Sequence, residues 1–316
     1  MNAPPRRESW WRLGLALLAF VLWAHPALFG LPFAALLLLR ARANRPVWTE
    51  ALAGLAGAFS VGLVVLTAVT GVRLAAVTST YIVMVTAAFV GLVLLNPASI
   101  LRQSLRAMLL GGLVSAVLIQ VIWGPDAWGA LAWEATRDAG LMMRSIVEIA
   151  PDTFALYEPM VRFVSLTWPG MLALQTLAGL ALAWHLHLRL APAGTATPAR
   201  FRDFRMGDAW VWGIVAWLGV LILPVSNALH MAGTNVGLVA SVLYVLRGAA
   251  IVVTFAEAFG VSVVVLVLVA GIAAALAVPL LFVLPGLCTL GITDTWYQYR
   301  RRLAAARGAG PTQLKD

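Results

Sequence analysis

Long apolar stretches separated by short polar ones make up the chain. The stretches cover about 13–39, 49–70, 73–96, 105–124, 164–188, 209–229, 236–256 and 261–292. Hydrophobic positions run on continuously rather than alternating, which predicts helices and excludes a barrel. A membrane-crossing helix needs about 20 apolar residues to span roughly 30 Å of hydrocarbon. Its backbone groups must be satisfied within the span itself. Each of the middle six stretches matches one crossing. The first and last are longer, and each holds two prolines, Pro26 and Pro32, then Pro279 and Pro285. Proline removes a helical hydrogen bond, so each end stretch is expected as one kinked helix or as two short ones.

Polar linkers set the expected orientation. Arg40, Arg42 and Arg45, then Arg102 and Arg106, then Arg189, Arg200, Arg202 and Arg205 mark three linkers as cytoplasmic by the positive-inside rule. Linker 125–162 carries six acids against three arginines and is expected outside. Arg300, Arg301, Arg302 and Arg307 place the C-terminus in the cytoplasm. With arginines on both sides of 13–39, and 257–260 already inside, both end stretches must cross twice or dip and return. That gives about ten segments; single long end helices give about eight but break the charge rule at both termini.

Within linker 125–162, Trp128, Leu131, Ala135, Met142, Ile146 and Ile149 fall near helical spacing, with Glu134, Arg137, Asp138, Arg144 and Glu148 largely elsewhere. This predicts an extracytoplasmic amphipathic helix, ended by Pro151, lying on the membrane surface or capping the bundle. Trp123, Trp128, Trp133 and Trp168 form an expected interfacial belt. The fold expected is all-α: a polytopic transmembrane bundle of about 8–10 segments, forming one integral membrane domain over 1–316 with a basic tail at 293–316.

Composition narrows function more than fold. Of 316 residues, 62% are hydrophobic and 11% charged, with a formal net charge of +9. In this setting the arginines orient the chain, and no nucleic-acid partner is expected. Cys288 is the single cysteine, so no internal disulfide or cysteine metal cluster is possible. The N-terminal arginines followed by an apolar stretch resemble a signal peptide, but no polar region follows, and that reading is set aside. The chain has no phosphate-binding glycine loop, zinc-binding helix motif or nucleophile elbow, and neither enzymatic activity nor a cofactor is expected.

Among polar residues inside apolar stretches, Arg247 stands out. A charge there costs a few kcal/mol even on lenient insertion scales. It marks either a solute path or pairing with a structural acid; Glu257, ten residues on, is too far along its own helix to pair. Asn235, Asn227 and His25 are weaker solute-binding candidates. Gln120 and Gln175 are expected to make interhelical hydrogen bonds, as is Asn96. His185 and His187 point to different faces and make a poor metal pair. Gly54, Ala58 and Gly62 offer a small-residue face for close helix approach.

Three stretches carry a family likeness. They are Phe201-Arg202-Asp203-Phe204-Arg205, Asn235 through Leu246-Arg247-Gly248, and Leu290-Gly291-Ile292-Thr293-Asp294-Thr295-Trp296 followed by Tyr299-Arg300. With Trp168-Pro169 at the start of a span, the chain resembles the YybS-like family of bacterial membrane proteins over about 160–305. It has Arg247 where the family pattern carries glutamine. The family is distantly similar to the substrate-binding components of energy-coupling-factor transporters. The resemblance implies a bundle with broken helices that binds a small solute from outside and relies on separate ATPase subunits.

Two functions follow as expectations. One is a solute-binding transporter-like component, with a polar cavity at Arg247. The other is a non-transporting assembly protein of the envelope, holding a partner through 125–162 or 189–208. Asp294, Trp296, Arg300, Arg202 and Arg205 are the candidate partner-docking residues. The expected site is the lipid bilayer of the bacterial cytoplasmic membrane.

Overall fold

A computed structural model of the chain describes residues 10–39, 47–69, 71–95, 99–190, 200–276, 280–306 and 308. Arg40, Arg42, Arg45, Asn96, Pro279, Arg307 and Lys315 lie outside those residues. The described residues are all-α, without strands. Five stretches are long and apolar enough to cross a membrane: Trp48–Val69, Arg73–Leu95, Ile100–Trp123, Pro151–Leu190 and Asn227–Ala258. Shorter apolar helices accompany them at Leu13–Trp23, Ala27–Leu39 and Asp208–Ile222. The chain is an integral membrane protein of the helical-bundle class. Its contacts divide into two compact units, Met1–Pro198 and Ala199–Asp316.

The first unit opens with the first apolar stretch broken into α1 (Trp10–Trp23) and α2 (Ala27–Leu39). Pro26 sits in the break, just before α2, where a missing N–H is harmless. His25 Nδ1 accepts the Ala27 N–H at 3.3 Å, so this histidine helps to cap α2. Next come α3 (Val47–Val69), α4 (Arg73–Leu95), α5 (Ile100–Trp123), α6 (Ala127–Ile149) and α7 (Tyr157–Leu190). Leu36, Val85, Phe89, Ala107 and Leu180 bring α2, α4, α5 and α7 into one core. Gly111 lies against the Val85 backbone, and Gly179 against the Leu28 carbonyl. Such contacts hold helices together in lipid, where apolar surface alone drives no association. Gln175 donates to the Trp23 carbonyl at 2.9 Å, an interhelical bond of the expected kind.

The expected small-residue face of α3 does something different. Gly54, Ala58 and Gly62 are exposed, and nothing approaches either glycine. α2 instead meets α3 through Gly30 against Ser60 and Ala34 against Gly57. Spacing alone cannot choose between two small faces on one helix.

The predicted amphipathic helix forms as α6, and Pro151 follows its end. Its buried face differs from the expected one: Ala127, Leu131, Ala135, Ala139 and Met143 are buried, while Trp128, Met142, Ile146 and Ile149 are exposed. Small side chains win the contact because they let α7 approach closely. α7 begins at Tyr157 rather than near 164, so Trp168-Pro169 lies inside the helix. At 34 residues it is about 51 Å long, well beyond the hydrocarbon thickness. Tyr157 donates to the Gly140 carbonyl, and Trp168 packs by Ala127 and Leu131. The start of α7 therefore runs antiparallel to α6, as a helical hairpin.

The Glu134 carboxylate accepts the Leu74 N–H at 2.7 Å and the Arg73 N–H at 3.4 Å, fixing α6 across the N-terminus of α4. A negative group there satisfies orphan amides and complements the helix dipole. Glu134→Ala is expected to cost about 1–2 kcal/mol, read as a lower thermal midpoint in detergent. An unchanged midpoint would mean that water serves these amides equally well.

The second unit contains α8 (Val211–Ile222), α9 (Asn227–Ala258), α10 (Val263–Leu276), α11 (Leu280–Tyr297) and α12 (Tyr299–Ala306). α10 and α11 cover the last apolar stretch on either side of 277–279, which lie outside the described residues. The turn expected at 230–235 lies at 223–226. There Pro224 follows the end of α8, and Ser226 caps α9 by accepting the Leu229 N–H. The polar run that looked like a loop is helical, because Thr234 and Asn235 bond back to the carbonyls of His230 and Met231.

Candidate functional site: a buried arginine–aspartate cluster

α9 and α11 cross at two glycines. A methyl on Gly248 would strike the Leu287 carbonyl, and one on Gly291 would strike the Tyr244 carbonyl. Bare backbone on both helices brings them into direct contact. This contact sets Arg247, next to Gly248, beside Asp294, three residues after Gly291.

Arg247 and Asp294 are both buried, at 6% and 5% exposure. Arg247 Nε donates to Asp294 Oδ2 at 3.1 Å. Its Nη2 lies 3.1 Å from the same oxygen and 3.2 Å from Asp208 Oδ1. Its Nη1 donates to the Met206 carbonyl at 3.3 Å. All three guanidinium nitrogens are thus engaged, as a charge removed from water requires.

Asp294 is the hub. Its Oδ1 accepts the Tyr299 N–H at 3.0 Å across the corner between α11 and α12. Its Oδ2 also lies 3.7 Å from Arg300 Nη2. Arg300 turns inward and donates to the carbonyls of Arg202 and Phe204 at 2.9–3.1 Å. With Met206, these are alternate carbonyls of one segment, held by two arginines like a strap. Arg202 ties the strap to the end of α9 through Glu257, at 2.6 Å. Burial lowers the Arg300 pKa from its ordinary value; Asp294 opposes that, and Arg205 and Arg247 add to it.

No family model, curated protein or solved structure matches this chain.

The site therefore rests on its own geometry. The structure brings Arg247, Asp294, Arg300 and Arg202 together. Asn235 and Asn227 lie back along α9, roughly 18 Å and 30 Å from Arg247 at the helical rise. His25 belongs to the first unit. Trp296 and Arg205 face outward, Trp296 at 63% exposure. Asp208 and the Met206 carbonyl are partners that sequence reasoning missed. The signal available was that a buried arginine demands acceptors; their place in the chain could not be read. No group of three or more potential metal ligands occurs among the described residues.

Proposed function

We propose that the chain is a non-enzymatic membrane subunit of the bacterial cytoplasmic membrane that works by holding partner proteins, as an envelope assembly component. The observation that carries this reading is the closure of Arg247 on Asp294, Asp208 and Met206. An arginine with every nitrogen engaged is poorly suited to take a solute. The partner surface is the hairpin of α6 and the start of α7. Its tip exposes Ile149, Phe154 and Leu156, at 86%, 71% and 52%, beside Glu148, Asp152 and Glu158. Large apolar side chains in a charged hairpin mark a protein contact. The positive-inside rule places this hairpin outside the cell and α12 in the cytoplasm. Membership of the YybS-like family is part of the proposal, supported by the convergence of its three quoted stretches on one cluster.

Native mass spectrometry of gently extracted protein tests this reading. A stoichiometric protein partner is expected, lost in Ile149→Asp with Phe154→Asp while the thermal midpoint stays unchanged. Bare protein, or a partner held equally by the variant, would overturn it.

One observation favours the solute-binding reading. The buried hydroxyls of Tyr244 and Thr295 approach each other without a well-formed hydrogen bond, beside Arg247 and Asp294. Such groups usually have a further partner, and a polar solute would supply one. A stoichiometric small molecule or an ATPase module in the same spectrum would decide for that reading.

A further inference from the structure

α11 ends at Tyr297, and Gln298 takes a left-handed backbone, with φ of 47°. Non-glycine residues adopt that conformation only where the surroundings hold them in it. Here Asp294 does so, by bonding the Tyr299 N–H beyond the corner. α12 therefore leaves the axis of α11 shortly after the last apolar stretch of the sequence ends.

The corner separates the charges of this end of the unit. Asp294 is buried against Arg247 and Arg300, and Glu257 is taken up by Arg202 at the surface. Arg205 and Arg302 are exposed, and neither has an acid within 4 Å among the described residues. Arg302 lies over the Tyr297 ring at 5.6 Å. Trp296 and Tyr297 are more than half exposed and follow directly on the last apolar stretch of the sequence, the position in which aromatic rings meet lipid headgroups. Arg205 also pushes against the charge of Arg300, a repulsion that a bound anion would relieve.

We propose that the corner between α11 and α12, with Arg205 of the strap, binds the headgroups of anionic phospholipids. Aromatic rings supply the depth and guanidiniums the phosphate recognition. A soluble acidic protein would have little use for the rings at this depth. The inference rests on membrane insertion alone and is independent of the hairpin's partner.

The test uses delipidated full-length protein in detergent, titrated with phosphatidylglycerol or with phosphatidylcholine of the same chains. Retained lipids are counted by native mass spectrometry, and the thermal midpoint is followed. Phosphatidylglycerol is expected to bind and raise the midpoint, and phosphatidylcholine is not. Arg205→Gln with Arg302→Gln is expected to weaken phosphatidylglycerol binding by roughly 25-fold, about fivefold for each arginine. Neither residue bonds within the cluster, and Arg205→Gln removes a repulsion on Arg300, so the midpoint in phosphatidylcholine should be no lower than wild type. Three results would overturn the proposal: equal effects of the two lipids, unchanged binding by the double variant, or equal stabilisation by inorganic phosphate alone.

Discussion

Asp294→Leu is expected to destabilise the protein by about 3–5 kcal/mol, the cost of leaving a buried charge without its partner. The substitution strips a carboxylate from two guanidiniums at once, the buried Arg247 and the partly buried Arg300. It also releases the Tyr299 amide that fixes the corner into α12. Arg247→Leu should be milder, because Asp294 keeps Arg300 and Tyr299, and Asp208 is largely exposed to water. The order of thermal midpoints in detergent checks this: wild type highest, Arg247→Leu next, Asp294→Leu lowest. A solute-binding Arg247 gives another pattern, in which removing either residue leaves the midpoint near wild type and abolishes ligand binding.

Gly291→Leu is expected to separate α9 from α11. Overpacking usually costs 1–3 kcal/mol, and the upper end applies because the new side chain meets the Tyr244 carbonyl and the Gly248 amide rather than a mobile side chain. The damage should extend beyond packing. With the helices apart, Arg247 loses Asp294, so the variant should be destabilised by roughly the same 3–5 kcal/mol as Asp294→Leu. Adding Asp294→Leu to Gly291→Leu should then cost less than it does in wild type, because only its contacts with Arg300 and Tyr299 remain to be lost. Thermal scans of the two singles and the double measure that coupling; simple additivity would show that the glycine contact and the ion cluster are separate features.

Much of the fold was legible because its signal is local. Continuous apolar runs gave the membrane helices, and Pro26 foretold the division into α1 and α2, while Pro32 lies inside α2. The spacing of residues 128–149 foretold α6, and Pro151 its end. What escaped depends on contacts distant in sequence. Arg247 meets Asp294 and Asp208 at separations of 47 and 39 residues, and no periodicity encodes that. The exposed Gly54–Ala58–Gly62 face and the buried alanine face of α6 show the same limit: a pattern identifies faces suited to contact, and the neighbouring helix selects one. The turn at 223–226 escaped because 230–235 read as a polar loop, with Thr234 and Asn235 in it. Their side chains fit a helix when they fold back on its own carbonyls.

The candidate site was legible as an anomaly but not as an arrangement. A guanidinium inside an apolar stretch announced that partners must exist. Asp294 and Arg300 were singled out as partner-docking residues; in the structure Asp294 is buried, Arg300 is partly buried, and both are bonded within the unit. Trp296 and Arg205 are what that end presents outward.

The central claim is that Arg247 is held by internal charges and serves the structure. The thermal midpoint of Arg247→Leu/Asp294→Leu, set beside that of Asp294→Leu, tests it most directly. The account predicts that the second substitution recovers stability, because it removes the charge that the first left unpaired. A double variant less stable than Asp294→Leu would contradict it.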